Sequence, residues 1–297
     1  MLVNLRNKIK EILLGEVKEI IMTARNDNMI VVEEKGNGDS ATIADVKIGE
    51  LFSRILPELL PKSIVINEED FSEEVFEKMK TTRYIWVVDP IDGTKAFRTQ
   101  NNNEYCVGIG LLDNLKPVLS LVYLPEYEFN GEKGLIFEAI DSEDGAKVND
   151  RKILITDKDD ISKLLCINHI HRDTKLNEIE EIISKQCKNS ETIRAYEGHS
   201  TLANYALVVA DDLNRIFTRR NANLWDVEQS AYIVEKAGGT VFYNDGTDIF
   251  PLDLNRLFVK TDENNNKFLI IDANIACAKS IKKNLFDHFF DHNPSEI

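Results

Sequence analysis

The chain has 297 residues, 43% of them hydrophobic, with 36 Lys and Arg against 51 Asp and Glu for a net charge of −15. That size and balance suit a globular protein of one large domain or two ordinary ones, and no apolar run is long enough to span a bilayer as a helix. The acid excess argues against a general nucleic-acid binder, since phosphate backbones are held mainly by Lys and Arg; an anionic substrate is repelled unless metal ions reverse the field locally.

Residues 1–23 carry apolar residues at helical spacing, interrupted by Lys and Glu, and read as an amphipathic helix rather than a secretory signal. "VVEEKGNGDSATIAD" follows as a polar, acid-rich turn. Thr42 is placed to cap a helix over 42–60 whose stripe is Ile43, Val46, Phe52, Ile55, Leu56 and Leu59. "SIVINEED" and "YIWVVDP" are short β runs ending in carboxylates or leading into them. In "YCVGIGLLDNLKPVLSLVYLP" two β-rich runs flank the turn "DNLKP", which predicts a hairpin, and "LIFEAI" adds a strand.

From about residue 155 the texture becomes an α/β alternation: "KLLCINHI" strand, helix 174–187, "IRAYEG" strand, helix 200–211, "RIFT" strand, helix 226–237. "GGTVFYNDG" and "KFLIIDAN" supply later strands, and 275–290 reads as a closing helix. The expected division is therefore 1–154, an α+β part carrying the acidic motifs, and 155–297, an α/β part completing the site. Cys106, Cys166, Cys187 and Cys277 include no C-x-x-C pair, which suits reduced thiols in the cytoplasm. His169 and His171 would point the same way on a strand, a possible metal pair, but no third His lies nearby to complete a zinc site.

Carboxylates gather where elements end: Asp45, Glu68, Glu69, Asp89, Asp92 and Asp226. Singly, each has an ordinary explanation as a solvated loop acid or a first-turn helix acid. "DPIDGT", residues 89–94, is harder to explain that way. Proline forces a turn after an apolar strand, so Asp89 and Asp92 can aim at one point, and such an oxygen-rich cluster suits magnesium. Gly93 and Thr94 then open a helix, whose free N–H groups make a phosphate seat. Metal ions beside a phosphate seat imply phosphoryl hydrolysis.

These motifs resemble a known family. "DPIDGT", preceded by "EED" and followed by "WDVEQSAYIVEKAGG", is similar to the magnesium-dependent, lithium-sensitive phosphatases related to inositol monophosphatase. The upstream K-x-x-x-D-x-x-T-x-x-D element of that family is present as Lys35, Asp39, Thr42 and Asp45. The resemblance implies a layered αβαβα sandwich, α+β or α/β in class, of the inositol monophosphatase and fructose-1,6-bisphosphatase type. It implies two or three Mg2+ ions: one on Glu68, Asp89 and the Ile91 carbonyl, a second shared by Asp89 with Asp92 and Asp226, and a weaker third leaning on Glu68. Thr94 paired with Asp45 would orient and deprotonate the attacking water, Glu68 assisting through the third ion. The N–H groups of Gly93 and Thr94 would hold the phosphate.

Within the family, Lys95, Ala96 and Phe97 make "DGTK-x-F", more like the 3'(2'),5'-bisphosphate nucleotidases of the CysQ type. Their substrate would be 3'-phosphoadenosine 5'-phosphate, cleaved to AMP and phosphate. Arg219, in "FTRRNANLWD", would favour a second anion. The resemblance makes Asp226 and the stretch Gly198, His199, Ser200 further expected substrate contacts, although "GHSTLANYAL" lacks the lysine common there in nucleotidases. An inositol or sugar monophosphatase is the alternative, and a metal-binding regulatory module without catalysis is the alternative of another class. The expected partner is a small phosphorylated molecule, with neither nucleic acid nor membrane, and the protein a monomer or homodimer.

Overall fold

The computed structural model describes residues 1–26, 31–35, 39–99, 101–129, 131–155, 165–168, 200–209, 215–219, 222–243, 245–262, 264–272, 274–279 and 282–283. The chain opens with α1 (Leu2–Ile12), a π turn (Leu13–Val17) and α2 (Lys18–Asn26) in direct succession. Their buried apolar residues are Leu5, Ile9, Leu13, Val17, Ile21 and Ala24. A run of four-residue steps drifts around an ordinary helix of 3.6 residues per turn; the wider π turn in its middle returns the stripe to one face.

A hairpin of β1 (Val31–Lys35) and β2 (Asp39–Thr42) comes next. The acid-rich turn expected there is thus paired strand on both sides, each strand reading as loop because its polar residues mask the alternation. Thr42 caps α3 (Ile43–Leu59) in a capping box with Asp45. The chain continues through β3 (Ile64–Asn67), a 3-10 turn (Glu68–Asp70), α4 (Glu73–Met79), β4 (Tyr84–Asp92) and the short α5 (Thr94–Arg98). An antiparallel run of β5 (Cys106–Asp113), β6 (Lys116–Phe129), β7 (Glu132–Ile140), β8 (Ala146–Val148) and β9 (Arg151–Ile153) completes a seven-stranded sheet. Its strands lie in chain order from β3 to β9, and only β3 and β4 run parallel. The "DNLKP" hairpin forms as expected, with Asn114 and Leu115 both left-handed at its tip (φ 49° and 65°).

Beyond these come β10 (Leu165–Asn168), α6 (Thr201–Leu207), β11 (Arg215–Arg219), β12 (Ala222–Asn223), a 3-10 turn (Leu224–Asp226) and α7 (Glu228–Lys236). The last strands are β13 (Gly239–Tyr243), β14 (Leu257–Thr261), β15 (Lys267–Ile271) and β16 (Asn274–Ala278). A four-stranded sheet has the order β10-β11-β16-β13, and a smaller one the order β12-β15-β14. Residues 274–278 correct the closing helix expected from 275: they form a central strand between β11 and β13. Pairing on both sides overrides the helix propensity of the alanines in "NIACA". Helix 174–187 and the "IRAYEG" strand lie outside the described residues.

Alternation along β4 explains the layering. Trp86 and Val88 join Ile109, Leu111, Leu119 and Leu121 under α1, α2 and α3. Ile85 and Val87 point the other way, with Val122, Leu124 and Phe137, into a core shared with α6 and α7 and, beyond them, with Val241 and Ala276 of the four-stranded sheet. Because both faces of the large sheet are covered, its strands read as nearly continuous apolar runs. Helices and sheets therefore stack in alternate layers, the sandwich expected from sequence, and α6 and α7, from beyond residue 155, pack on a sheet formed wholly before it.

Candidate metal and phosphate site

The site begins where β4 stops being an ordinary strand. Its pairing with β5 is regular from Tyr84 to Asp89, breaks over Pro90 and Ile91, and resumes at Asp92 opposite Cys106. Proline has no N–H to give a ladder, so the register shift falls there. Gly93 follows with φ 91°, a left-handed conformation that side chains oppose, and turns the chain into α5. Thr94 is the first residue of that helix.

Asp89, Asp92 and Asp226, all buried, bring carboxylate oxygens within 4.8 Å of one another. Among the described residues, neither oxygen of Asp89 has a hydrogen-bond donor. Burial first, and then the negative charges of Glu68, Asp92, Asp226 and Asp45, hold the Asp89 carboxyl well above the usual carboxylate range. An acid buried among four acids without a donor is expensive for a protein with nothing to bind. The same oxygens at this spacing match the donor set of a hard divalent cation, so the residues fit a magnesium-type ion.

Each neighbouring acid is held by local structure. The Ser200 hydroxyl donates to Asp92 Oδ2 at 2.8 Å, and the Leu202 N–H donates to the same oxygen at 2.5 Å. Ser200 also caps α6, accepting from the Ala203 N–H at 3.0 Å. One Asp92 oxygen is therefore occupied by the start of α6, which fixes where the other can point. Cys106 packs against this pair, its sulfur 3.3 Å from the Ser200 hydroxyl, and burial keeps its thiol protonated. Asp226 ends a 3-10 turn, with the Asn223 amide 3.5 Å from its Oδ2. Glu68 starts the turn after β3, where Asn67 caps by accepting from the Glu69 N–H and donates to Ser53. The rings of Phe71 and Trp225 meet at 5.5 Å and clasp the segment of Glu68 to that of Asp226.

Asp45 reaches the site through its capping role. Its Oδ2 accepts from the Thr42 N–H at 2.8 Å and from the Thr42 hydroxyl, while Oδ1 lies 3.3 Å from the Thr94 hydroxyl. That hydroxyl also faces the Ile91 carbonyl at 3.1 Å. Thr94 is only half-buried, so an aspartate-backed hydroxyl stands at the edge of the carboxylate cluster.

Of the residues singled out from sequence, Asp45, Glu68, Asp89, Ile91, Asp92, Gly93, Thr94 and Asp226 thus come together, with Ser200 turned toward Asp92. Arg219 lies in β11, its side chain outside the described residues, as are Gly198, His199, His169, His171 and the side chains of Lys35 and Asp39. The sequence reading missed Cys106 and the Leu202 N–H. Cys106 is found only through strand register. The Leu202 N–H could have been suspected from the capping pattern at Ser200.

Comparison with known proteins bears on this geometry. A model of the inositol monophosphatase family matches residues 5–286. Inositol monophosphatase 1 of Bos taurus is 25% identical over 236 residues, covering 77% of this chain and 80% of the relative. The 3'(2'),5'-bisphosphate nucleotidase CysQ of Shigella flexneri is 26% identical over 214 residues, covering 71% of this chain and 78% of the relative. Among solved structures, a dual-specific IMPase/NADP phosphatase bound with D-inositol-1-phosphate superposes with TM-score 0.72 at 19% identity, covering 99% of this chain and 98% of the other.

Proposed function

The chain belongs to the inositol monophosphatase family, a family of metal-dependent phosphatases, and from that premise we propose that it is a Mg2+-dependent 3'(2'),5'-bisphosphate nucleotidase releasing AMP and phosphate from 3'-phosphoadenosine 5'-phosphate. The observation that carries the metal dependence is the donorless, buried Asp89 carboxyl ringed by Glu68, Asp92, Asp226 and Asp45. The nucleotide rests on the likeness to CysQ relatives, on "DGTK-x-F" and on Arg219 as a cation for a second phosphate.

Glu68, Asp89 and the Ile91 carbonyl would hold one ion, Asp89, Asp92 and Asp226 a second, and Glu68 a weaker third. Such ions, when bound, acidify water and neutralise charge on the transferring phosphoryl group and the leaving oxygen. The chain's own residues do the rest. N–H groups of Gly93 and Thr94 seat the phosphate oxygens at the start of α5. Thr94 orients the water that attacks phosphorus. A threonine hydroxyl is no base at neutral pH by itself, so the water proton passes toward Asp45, whose Oδ1 faces that hydroxyl at 3.3 Å. Water forms the new P–O bond as the bond to the ribose oxygen breaks, and that oxygen takes up a proton from solvent, to which Asp45 gives back its own.

A second reading, inositol monophosphate hydrolysis, is favoured by the longer match to the bovine inositol monophosphatase. Phosphate release from 3'-phosphoadenosine 5'-phosphate and from inositol 1-phosphate, measured in parallel with and without Mg2+, separates the two. Preference for the inositol ester overturns the nucleotide assignment. Asp92→Asn should abolish turnover with the fold intact, and retained activity would remove Asp92 from the mechanism.

A further inference from the structure

Thr94 must be held still to do the work assigned to it, yet it opens a helix of only five residues, Thr94–Arg98. So short a helix has no stability of its own, and its last carbonyls have no partners within it. Thr99 serves two of them, its hydroxyl donating to the Lys95 carbonyl and its N–H to the Ala96 carbonyl, and a side chain from the far end of α2 takes the next. Arg25 donates through Nη1 to the Phe97 carbonyl at 2.6 Å and toward the Thr99 carbonyl at 3.3 Å. Its Nη2 donates to the Asn102 carbonyl and to Asn103 Oδ1, both at 3.3 Å. Its Nε pairs with Glu126 of β6 at 3.0 Å, and the Tyr105 hydroxyl donates to the same carboxylate oxygen at 2.8 Å.

The guanidinium also lies against two rings, 5.8 Å from the centre of Phe97 and 5.4 Å from that of Tyr105, which themselves meet edge to face at 4.8 Å. One cation therefore ties the C-terminal end of α5 and the descending loop to α2 and to the large sheet. A positive charge at a helix C-terminus also complements the helix dipole. Only a planar fork of donors can serve so many carbonyls at once, which lysine cannot do. The opposite end of α5 is fixed by Gly93 and by the contacts of Thr94 with Asp45 and Ile91.

We infer that Arg25 is the positioning residue for Thr94, clamping the far end of α5 so that the threonine hydroxyl stays aligned with Asp45. This rests on the role given to Thr94 above. A misplacement of about 1 Å at a reacting group costs up to about 100-fold in rate.

The test is a double-mutant cycle of Arg25→Met with Thr94→Ala, with amide hydrogen exchange of metal-free protein as a readout independent of turnover. Arg25→Met should lower kcat by about 10- to 100-fold with KM within about 3-fold, and should cost less than about 2-fold once Thr94 is already alanine. Exchange across residues 93–104 should quicken at least about 10-fold while β6 is unchanged. An equal loss of kcat in both backgrounds, or unaltered exchange over 93–104, overturns the inference and leaves the reading of the site intact. If Thr94→Ala alone leaves turnover unchanged, the role of Thr94 falls, and with it that of Arg25. Should Arg25→Met fail to fold, Arg25→Lys keeps the charge without the fork and is held to the same cycle, with a smaller loss expected.

Discussion

Glu228 is fully buried in α7, and among the described residues neither of its carboxylate oxygens has a hydrogen-bond partner. It lies over Gly110 of β5, so closely that a Cβ on that glycine would fall 1.8 Å from Oε2. Burial alone carries its pKa from 4.5 up to about 8, so Glu228 is protonated in the folded protein near neutrality and ionised in the unfolded chain. Between those values the folded state holds one proton more than the unfolded state, and stability falls as pH rises. Below pH 4.5 both states are neutral and the penalty vanishes. Above it the loss is about 1.4 kcal/mol per pH unit, reaching roughly 4 kcal/mol at pH 8 and levelling near 5 kcal/mol beyond. Glu228→Gln removes the charge at nearly constant volume. Urea denaturation of both proteins from pH 5 to 9 in EDTA should give similar stabilities at pH 5 and an advantage for the variant that grows with pH by those amounts. Comparing the two cancels the titration of the other acids. Parallel pH profiles would refute the reasoning, since they would mean that Glu228 has found a partner in the folded state.

Adding Mg2+ to EDTA-treated protein should raise its thermal midpoint, by about 2.7 kcal/mol of stabilisation at a hundredfold excess over Kd; Asp89→Asn should start more stable than the native chain without metal and gain nothing from the ion, as scanning calorimetry would report. Gly110→Ala should destabilise by about 1–3 kcal/mol through the clash with Glu228, and Glu228→Ala should relieve part of that loss in a denaturant-measured double mutant. Ser200→Ala removes one of the two donors to Asp92 Oδ2 and the cap of α6, so it should cost about 1–2 kcal/mol in stability and weaken Mg2+ binding by about 10- to 100-fold in titration calorimetry.

What could be read from sequence was whatever is written locally. Thr42 and Asp45 form the S/T-x-x-acid signature of a helix start, and the capping box they make delivers Asp45 to Thr94. The apolar run into Asp89-Pro90 announces a buried strand that must stop, and Gly93 marks the turn that follows. Other features depend on partners far along the chain. Residues 274–278 look helical until β11 and β13 flank them, and β1 and β2 look like loop until each supplies the other's ladder. Gly110 carries no local sign that Glu228 needs its space, and Arg25 no sign that its carbonyl partners lie more than seventy residues away.

Asp89 and Glu228 share burial, a raised pKa and the absence of a donor among the described residues, so none of those properties separates a ligand site from a structural anomaly. Their surroundings do. Around Glu228 the sheet offers Gly110 and, paired across from it, Ser120, whose hydroxyl is itself without a partner among the described residues, and its raised pKa has desolvation as its cause. Around Asp89 four other carboxylates add to the shift, and two of them bring oxygens within 4.8 Å. Packing alone gives no reason to assemble like charges from β4, the turn after β12, the turn after β3 and the start of α3, or to fix Asp92 by Ser200 and the segments of Glu68 and Asp226 by the Phe71–Trp225 contact. Convergence of like charge, maintained by dedicated neighbours, distinguishes acids suited to a cation from the one that is merely enclosed.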